Sequence, residues 1–91
     1  MAVVHVEVRG DVQGVGFRWF VREIASREGV AGWVRNRDDG SVEVAASGND
    51  AQLQRFLGAV RRGPPGATVR EVRALTSPIE PAPAHPFNIL R

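Results

Sequence analysis

Apolar residues recur along this chain with two different periods, and few folds are compatible with the order of these periods. Residues 3–9 alternate between apolar and polar side chains, which predicts a strand with one buried face and one solvent-exposed face. From Phe17 onward, apolar residues fall at helical spacing, i, i+3, i+4, i+7 and i+8. This stripe predicts a helix over residues 17–28 that ends at Gly29.

The middle of the chain predicts a hairpin followed by a second helix. Residues 30–36 and 41–47 flank an Asp-Gly turn and have the composition of paired strands. Asn49 stands three residues before Gln52, which is the spacing of a capping box at a helix start. The apolar stripe that follows predicts a helix, and Gly-Pro-Pro-Gly at 63–66 ends it.

The last third predicts one further strand and an irregular tail. Residues 68–76 alternate imperfectly, which indicates a fourth strand with a bulge. Residues 77–86 contain four of the six prolines and predict an extended connector. Residues 87–91, FNILR, are a candidate for a short edge strand.

The predicted order is therefore βαββαβ, with a short fifth strand at the C-terminal end. Each strand has one apolar face and each helix one apolar stripe, so burial requires both helices to lie on the same face of a sheet. We expect an α+β fold, the ferredoxin-like sandwich with an antiparallel sheet and two helices on one face. Residues 1–91 show no internal repeat or break in composition and predict a single domain. This fold hosts many functions, so it does not identify one.

Composition excludes several classes of protein. The apolar fraction is 43% and the charged fraction 24%, both typical of globular chains. No apolar run approaches the roughly 20 residues that a membrane-spanning helix needs. The first ten residues lack the features of a signal peptide. There are no cysteines, which excludes disulfides, thiol catalysis and cysteine-based metal sites.

The basic character of the chain is weak evidence for a polyanionic partner. All 12 basic residues are arginines, the net charge is only +2, and the pI is about 11. With no Lys, Tyr or Cys, few groups titrate between His and Arg, so a small positive excess persists to high pH. The pI is thus a consequence of composition, and we expect no nucleic-acid partner.

Conventional catalytic residues are scarce. His5 and His85 are far apart in sequence and have no obvious acidic partner. We expect His5 to be a surface residue of the first strand and His85 to be a structural residue of the proline-rich connector. His5 and Glu7 form a lone His-x-Glu without further ligands, so we predict no metal site.

The junction between the first strand and the first helix is the most distinctive segment. Residues 10–16, GDVQGVG, contain three glycines and lead into the helix. Such a loop presents unpaired amides where the helix dipole is positive, and Gly14 and Gly16 permit close backbone approach. Arg18 lies in the first turn, outside the apolar stripe, and can reach back to the loop. These features suit a phosphate-sized dianion, although such loops are often only turns. The loop matches neither the Walker motif nor the dinucleotide fingerprint.

A second polar group lies at the end of the second strand. Asn36 has the parity of Val34, which places its amide on the core side of the sheet, where it needs partners. The amide could bond the turn backbone, or it could hold a water beside the glycine loop. Asp11 would repel a bound dianion, so we predict that it points to solvent.

The remaining prominent side chains have ordinary explanations. We expect both tryptophans, Trp19 and Trp33, to be packing residues. Three arginines, Arg22, Arg35 and Arg37, are predicted to lie on solvated faces, although Arg37 could steer anions toward the loop.

Two motifs resemble the acylphosphatase family, in particular small members from bacteria or archaea. GDVQGVGFR at 10–18 is similar to the family's GxVQGVGFR loop, and GWVRNRDDGSVEV at 32–44 is similar to its GWVxNxxDGxVEV segment. The resemblance continues at Gly48, Gly63-Pro64, Val69 and residues 87–89. One departure is the ending FNILR, where many relatives have variants of FxIRY.

This resemblance implies a function and a site. It implies hydrolysis of the carboxyl–phosphate anhydride of a small acyl phosphate, without metal or cofactor, by a cytoplasmic enzyme. It assigns phosphate binding to Arg18 and orientation of the attacking water to Asn36. The backbone amides that would bind the substrate phosphate, or a phosphate or sulfate ion, are those of Val12, Gln13, Gly14, Val15 and Gly16. Nothing in this implied mechanism requires more than a monomer.

Three other functions are compatible with the element order. An RNA-binding module stacks bases on strand aromatics, but the first and third strands have none. An acylphosphatase-like domain of a carbamoyl-transferring maturation protein would belong to a much larger chain. A regulatory module for a small ligand would leave the combination of Arg18 and Asn36 unexplained.

Overall fold

The predicted element order is confirmed by a computed structural model that describes all residues, 1–91. Two helices and five strands follow one another as βαββαβ plus a short last strand. Their bounds are β1 (Ala2–Asp11), α1 (Phe17–Glu28), β2 (Ala31–Asn36), β3 (Val42–Gly48), α2 (Asp50–Arg62), β4 (Thr68–Ala74) and β5 (Asn88–Ile89).

The strands form one sheet in the order β4-β1-β3-β2-β5. The four long strands are antiparallel, as predicted, but β5 pairs parallel to β2 and makes the sheet mixed. The reason lies in the connector after β4, because it carries the chain from one edge of the sheet to the other. There it meets β2, and Trp33 and Val34 pair with Asn88 and Ile89.

One hydrophobic core lies between the sheet and both helices. Val6 and Val8 of β1 lie opposite Val44 and Val42 of β3, so apolar residues of neighbouring strands share one face. The buried cluster continues into both helical stripes through Val21, Ile24, Ala25, Leu53, Phe56, Ala59 and Val60. Burial of these stripes is what places both helices on the same face of the sheet.

Two local predictions are confirmed. Asn49 Oδ1 accepts from the Gln52 amide at 2.8 Å, and Gln52 Oε1 accepts from the Asn49 amide at 2.9 Å, which completes the capping box of α2. Between β1 and β4 the register shifts after Arg9, so that Arg70 has no counterpart on β1. The predicted bulge in the fourth strand is this extra residue.

The prediction that His5 is a surface residue without an acidic partner is wrong. His5 is only 7% exposed, and its Nε2 lies 2.6 Å from Glu43 Oε2. The His5 ring lies on the sheet face opposite the helices, edge-on to the Trp33 ring with 6.1 Å between the ring centres. The connector after β4 runs along this face. Its Leu75 amide donates to the His5 carbonyl at 2.8 Å, and Trp33 Nε1–H donates to the Pro81 carbonyl at 2.6 Å.

Two arginines pair with carboxylates on this face of the sheet, opposite the helices. Arg35 donates from Nε to Glu43 at 2.8 Å and lies 4.5 Å from the centre of the Trp33 ring. Arg37 donates to Glu7 at 3.0 Å. Both arginines are therefore half-buried partners of carboxylates and not the freely solvated residues that we expected.

Candidate active site

The glycine loop occupies residues 12–16, between the end of β1 and the start of α1. Gly14 and Gly16 have φ angles of 77° and 74°, in the left-handed region that glycine adopts at little cost. A Cβ at either position would meet nothing within 4 Å. The backbone conformation, and not crowding, is therefore the reason for glycine at both positions.

The backbone amides of this loop are unpaired. Those of residues 12–19 donate to no acceptor in the protein, and the first helical bond of α1 runs from the Phe20 amide to the Gly16 carbonyl at 3.0 Å. No side chain caps α1, and its first turn contains no acidic residue. A helix start with free amides and a positive dipole is suited to an anion.

Side chains of the loop anchor it while the amides stay free. Val12 is 1% exposed in the core, and Val15 packs against the same core. Gln13 donates from Nε2 to the carbonyls of Arg37 and Ser41, each at 2.8 Å. The predictions included the Gln13 amide but missed this anchoring by its side chain, since sequence alone does not show which carbonyls a loop glutamine can reach.

The turn between β2 and β3, whose carbonyls accept from Gln13, is stabilised by a carboxylate of its own. Asp39 accepts from the Ser41 hydroxyl at 2.5 Å and from the Ser41 amide at 2.9 Å. These two hydrogen bonds lower the pKa of Asp39. Gln13 therefore anchors the glycine loop to a turn that has its own stabilising hydrogen bonds.

A cavity of about 400 Å³ opens beside the loop and brings the two predicted side chains together. It contains no carboxylate side chain among its lining residues. These are Val12, Gly14, Gly16, Phe17, Arg18, Trp19, Arg22, Asn36, Ile89 and Arg91. The loop, the first turns of α1, the end of β2 and the C-terminal segment thus form one concave surface.

Arg18 and Asn36 both have unused hydrogen-bonding capacity in this cavity. Arg18 is half-buried and forms no ion pair. The Oδ1 atom of Asn36 is buried and has no hydrogen-bond partner. Of the two interpretations of Asn36, the bond to the turn backbone is therefore not made. A buried amide oxygen without a partner is costly, and Asn36 lines the cavity in which a ligand could supply a donor.

Asp11 points away from this cavity, as predicted. Its side chain is exposed and pairs with Arg70 at 3.2 Å. The lining of the cavity therefore has no carboxylate side chain to repel an anion.

Four cavity residues were missed or misjudged from sequence. Trp19, expected as a packing residue, is 57% exposed and lines the cavity, whereas Trp33 is buried as predicted. Arg22, expected on a solvated face, is half-buried in the cavity wall. Ile89 and Arg91 reach the cavity only because β5 pairs beside β2.

Two further features bear on the class of protein. No group of three or more His, Asp or Glu side chains comes together in a way that could hold a metal ion. Neither helix has the length and apolar character needed to cross a membrane.

Comparison with known proteins identifies the family. The acylphosphatase family model matches residues 4–89. The acylphosphatase of Archaeoglobus fulgidus is 46% identical over 80 residues, which cover 88% of this chain and 90% of that protein. The acylphosphatase of Bacillus velezensis is 49% identical over 80 residues, with 82% and 89% covered.

Solved structures agree with this assignment. The crystal structure of acylphosphatase from Bacillus subtilis has a TM-score of 0.89 and 41% identity, with 100% of both chains covered. HypF from T. kodakarensis has a TM-score of 0.79 and 31% identity, but the match covers only 12% of that chain. Because the family model matches nearly the whole length of this chain, the chain belongs to the acylphosphatase family.

Proposed function

We propose that acyl phosphates are hydrolysed in the cavity beside the glycine loop, where Arg18 and the amides of residues 12–16 bind the phosphate and Asn36 orients the water. Family membership sets the reaction, which converts a carboxyl–phosphate anhydride into a carboxylate and inorganic phosphate. The observation that carries the residue assignment is that Asn36, whose amide oxygen has no partner in the protein, lines the same cavity as Arg18.

Phosphate binding follows from the free donors of the loop. Several amides at the start of α1 have no acceptor in the protein, where the helix dipole is positive, and they can donate to the phosphoryl oxygens. The Arg18 guanidinium adds a planar charged donor that matches two phosphoryl oxygens. These groups can stabilise the charge that spreads over the phosphoryl group in the transition state.

Asn36 is suited to position a water and not to deprotonate it. Its Oδ1 accepts one hydrogen of the water, which directs the water oxygen at phosphorus. As the P–O bond to water forms, the P–O bond to the acyl group breaks and the carboxylate leaves with the electron pair. We propose that a phosphoryl oxygen receives the proton of the water, since an amide is too weak a base.

The leaving group explains the lack of conventional acid–base residues. A carboxylate has a pKa of about 4 and needs little protonation as it leaves. A phosphomonoesterase, by contrast, must expel an alkoxide. The histidines are not needed, which agrees with the position of His5 on the other face of the sheet.

The wider assignment follows from the same site. We propose that residues 1–91 act as one catalytic unit, a monomer in the cytoplasm, without metal, cofactor, membrane or nucleic-acid partner. Arg18 and the amides of residues 12–16 supply the positive charge that the phosphate needs. An RNA-binding role is disfavoured further because the connector and the carboxylate–arginine layer occupy the sheet face opposite the helices.

The test is hydrolysis of benzoyl phosphate in the presence of excess chelator. We expect activity in the natural protein and losses of at least about 10²–10³-fold in kcat/KM for Arg18→Ala and Asn36→Ala, with the circular dichroism spectrum unchanged. Arg27→Ala is the matched control, because Arg27 is an exposed and unpaired arginine of the same helix outside the cavity. Full activity in both cavity variants, or no activity in the natural protein, would contradict the proposal.

Product inhibition provides an independent check of the loop. Inorganic phosphate, and sulfate as its analogue, should inhibit competitively with benzoyl phosphate. Noncompetitive inhibition would indicate that these anions bind elsewhere.

A further inference from the structure

We propose that the cavity prefers acyl phosphates whose acyl group carries a second negative charge, and that Arg22 is the specificity residue that binds this charge. This inference rests on the proposed function, because it takes the phosphate to lie at the glycine loop and Arg18.

The distribution of ion pairs is the first observation. Six of the 12 arginines pair with carboxylates within 4 Å, namely Arg9, Arg35, Arg37, Arg55, Arg70 and Arg73. Of the six that do not, three line the cavity, Arg18, Arg22 and Arg91. With no carboxylate side chain in the lining, a phosphate at the loop and Arg18 leaves Arg22 without a side-chain counter-charge.

Two of these arginines lie one after the other along α1, at increasing distance from the glycine loop. Arg18 and Arg22 are four residues apart on α1, so they lie on one face of the helix and about 6 Å apart along its axis. Arg22 lies one turn farther from the loop than Arg18. A phosphate at the loop therefore places the far end of a short acyl group within reach of the Arg22 guanidinium.

Trp19 supplies a surface for the body of the acyl group. It is one of three large apolar side chains that are strongly exposed, and the only one of these three that lines the cavity. An aromatic side chain with one free face beside charged groups is typical of a ligand contact. Trp19 also lies three residues before Arg22, on a neighbouring part of the same helix surface.

The unpaired Arg22 predicts a measurable preference for an anionic over a neutral acyl group. A second anion in the substrate would pair with Arg22, whereas a neutral acyl group would leave the Arg22 guanidinium without an anionic partner. Two substrates of equal size isolate this effect, 4-carboxybenzoyl phosphate and its neutral amide, 4-carbamoylbenzoyl phosphate. Neither can cyclise with loss of phosphate.

We expect the kcat/KM ratio of the carboxyl to the carbamoyl substrate to be about five to ten in the natural protein at low salt. Arg22→Gln should bring the ratio close to one, and Arg22→Lys should keep part of the preference. Arg27→Gln, the matched control outside the cavity, should leave the ratio unchanged. Added salt should lower the preference of the natural protein, since the site is open to solvent.

The failure of this inference differs from the failure of the proposed function. A ratio near one in the natural protein, or a ratio that Arg22→Gln leaves unchanged, would overturn the inference even though benzoyl phosphate is hydrolysed. A preference that disappears in Arg91→Gln and persists in Arg22→Gln would also overturn the assignment to Arg22. No hydrolysis of benzoyl phosphate, or hydrolysis independent of Arg18, would instead overturn the proposed function.

Discussion

A single asparagine best separates function from stability in this chain. Asn36 stands opposite Val42 and two residues after buried Val34, in a position that packing would fill with an apolar side chain. Its Oδ1 is buried without a partner, which costs roughly 1–3 kcal/mol in a folded protein. We infer that the oxygen is retained for a ligand and not for the fold.

The substitution Asn36→Val should therefore have opposite effects on activity and stability. We expect kcat/KM on benzoyl phosphate to fall about 10²-fold or more, because the water loses its acceptor. The free energy of unfolding in urea should rise by about 1 kcal/mol, because an unpaired polar atom is removed and valine favours strands. A clear loss of stability would show that Asn36 makes a structural contribution.

The sequence predicted that Arg18 and Asn36 lie near the glycine loop. It did not predict that Trp19 and Arg22 line the same cavity, since we expected Trp19 to be a packing residue and Arg22 to lie on a solvated face. Arg18 and Asn36 follow from local patterns, a glycine loop before a helix and the parity of a strand. Trp19 and Arg22 lie outside the apolar stripe of α1, and such residues usually face water. The cavity that they line exists because Ile89 and Arg91 form its other wall. These two residues lie about 70 positions farther along the chain, and no local pattern predicts that β5 pairs parallel to β2.

At the scale of elements, the two helices begin in opposite ways. The start of α2 is closed by the Asn49–Gln52 capping box, with Asp50 in the first turn. The start of α1 has Gly16 as its N-cap, no capping side chain and no acidic residue. One start satisfies its own amides, while the other leaves them for an anion.

Substitutions at the two caps should separate these roles. Asn49→Ala should lower the free energy of unfolding by about 1 kcal/mol and leave kcat/KM unchanged. Gly16→Ala should destabilise by about 1–2 kcal/mol, because alanine disfavours the left-handed conformation. It should also reduce kcat/KM, because relief of that strain moves the amides. Equal effects of the two variants on activity would contradict this distinction.

At the scale of the whole molecule, the sheet buries a polar layer on the face opposite its apolar core. Glu7 and Glu43 lie opposite each other in the register of β1 and β3, which places two carboxylates side by side. Arg73 and Arg35 flank them on the neighbouring strands, and His5 lies 2.6 Å from Glu43. The alternation of β1 predicted two faces correctly, but it could not show that the distant connector would cover the polar one.

This layer predicts how stability depends on pH. Burial raises the pKa of Glu43, but hydrogen bonds from Arg35 and His5 outweigh it, so the pKa lies below its ordinary value of 4.5. A folded-state pKa below the unfolded value means that Glu43 stabilises the fold above pH 4.5 and loses this contribution as the pH falls through the folded pKa.

Glu43→Gln should remove that part of the pH dependence. At pH 7 we expect a loss of about 2 kcal/mol in the free energy of unfolding, because the neutral amide of glutamine offers one acceptor oxygen to two donors and lacks the carboxylate charge. Between pH 3 and about 5 the variant should show a flatter stability curve than the natural protein in urea titrations. Glu23→Gln is the control, since Glu23 is exposed and unpaired. Parallel curves for all three proteins would contradict the role given to Glu43.

In the proposed mechanism, the phosphate binds the free amides at the start of α1 together with Arg18. Titration of the ¹⁵N-labelled protein with inorganic phosphate, followed by amide chemical shifts, tests it directly. The largest saturable shifts should fall on residues 12–19, and Arg18→Ala should weaken them. Saturable shifts centred instead on the unpaired Arg61 and Arg62 at the end of α2, or no saturable shifts in residues 12–19, would contradict phosphate binding at this helix start.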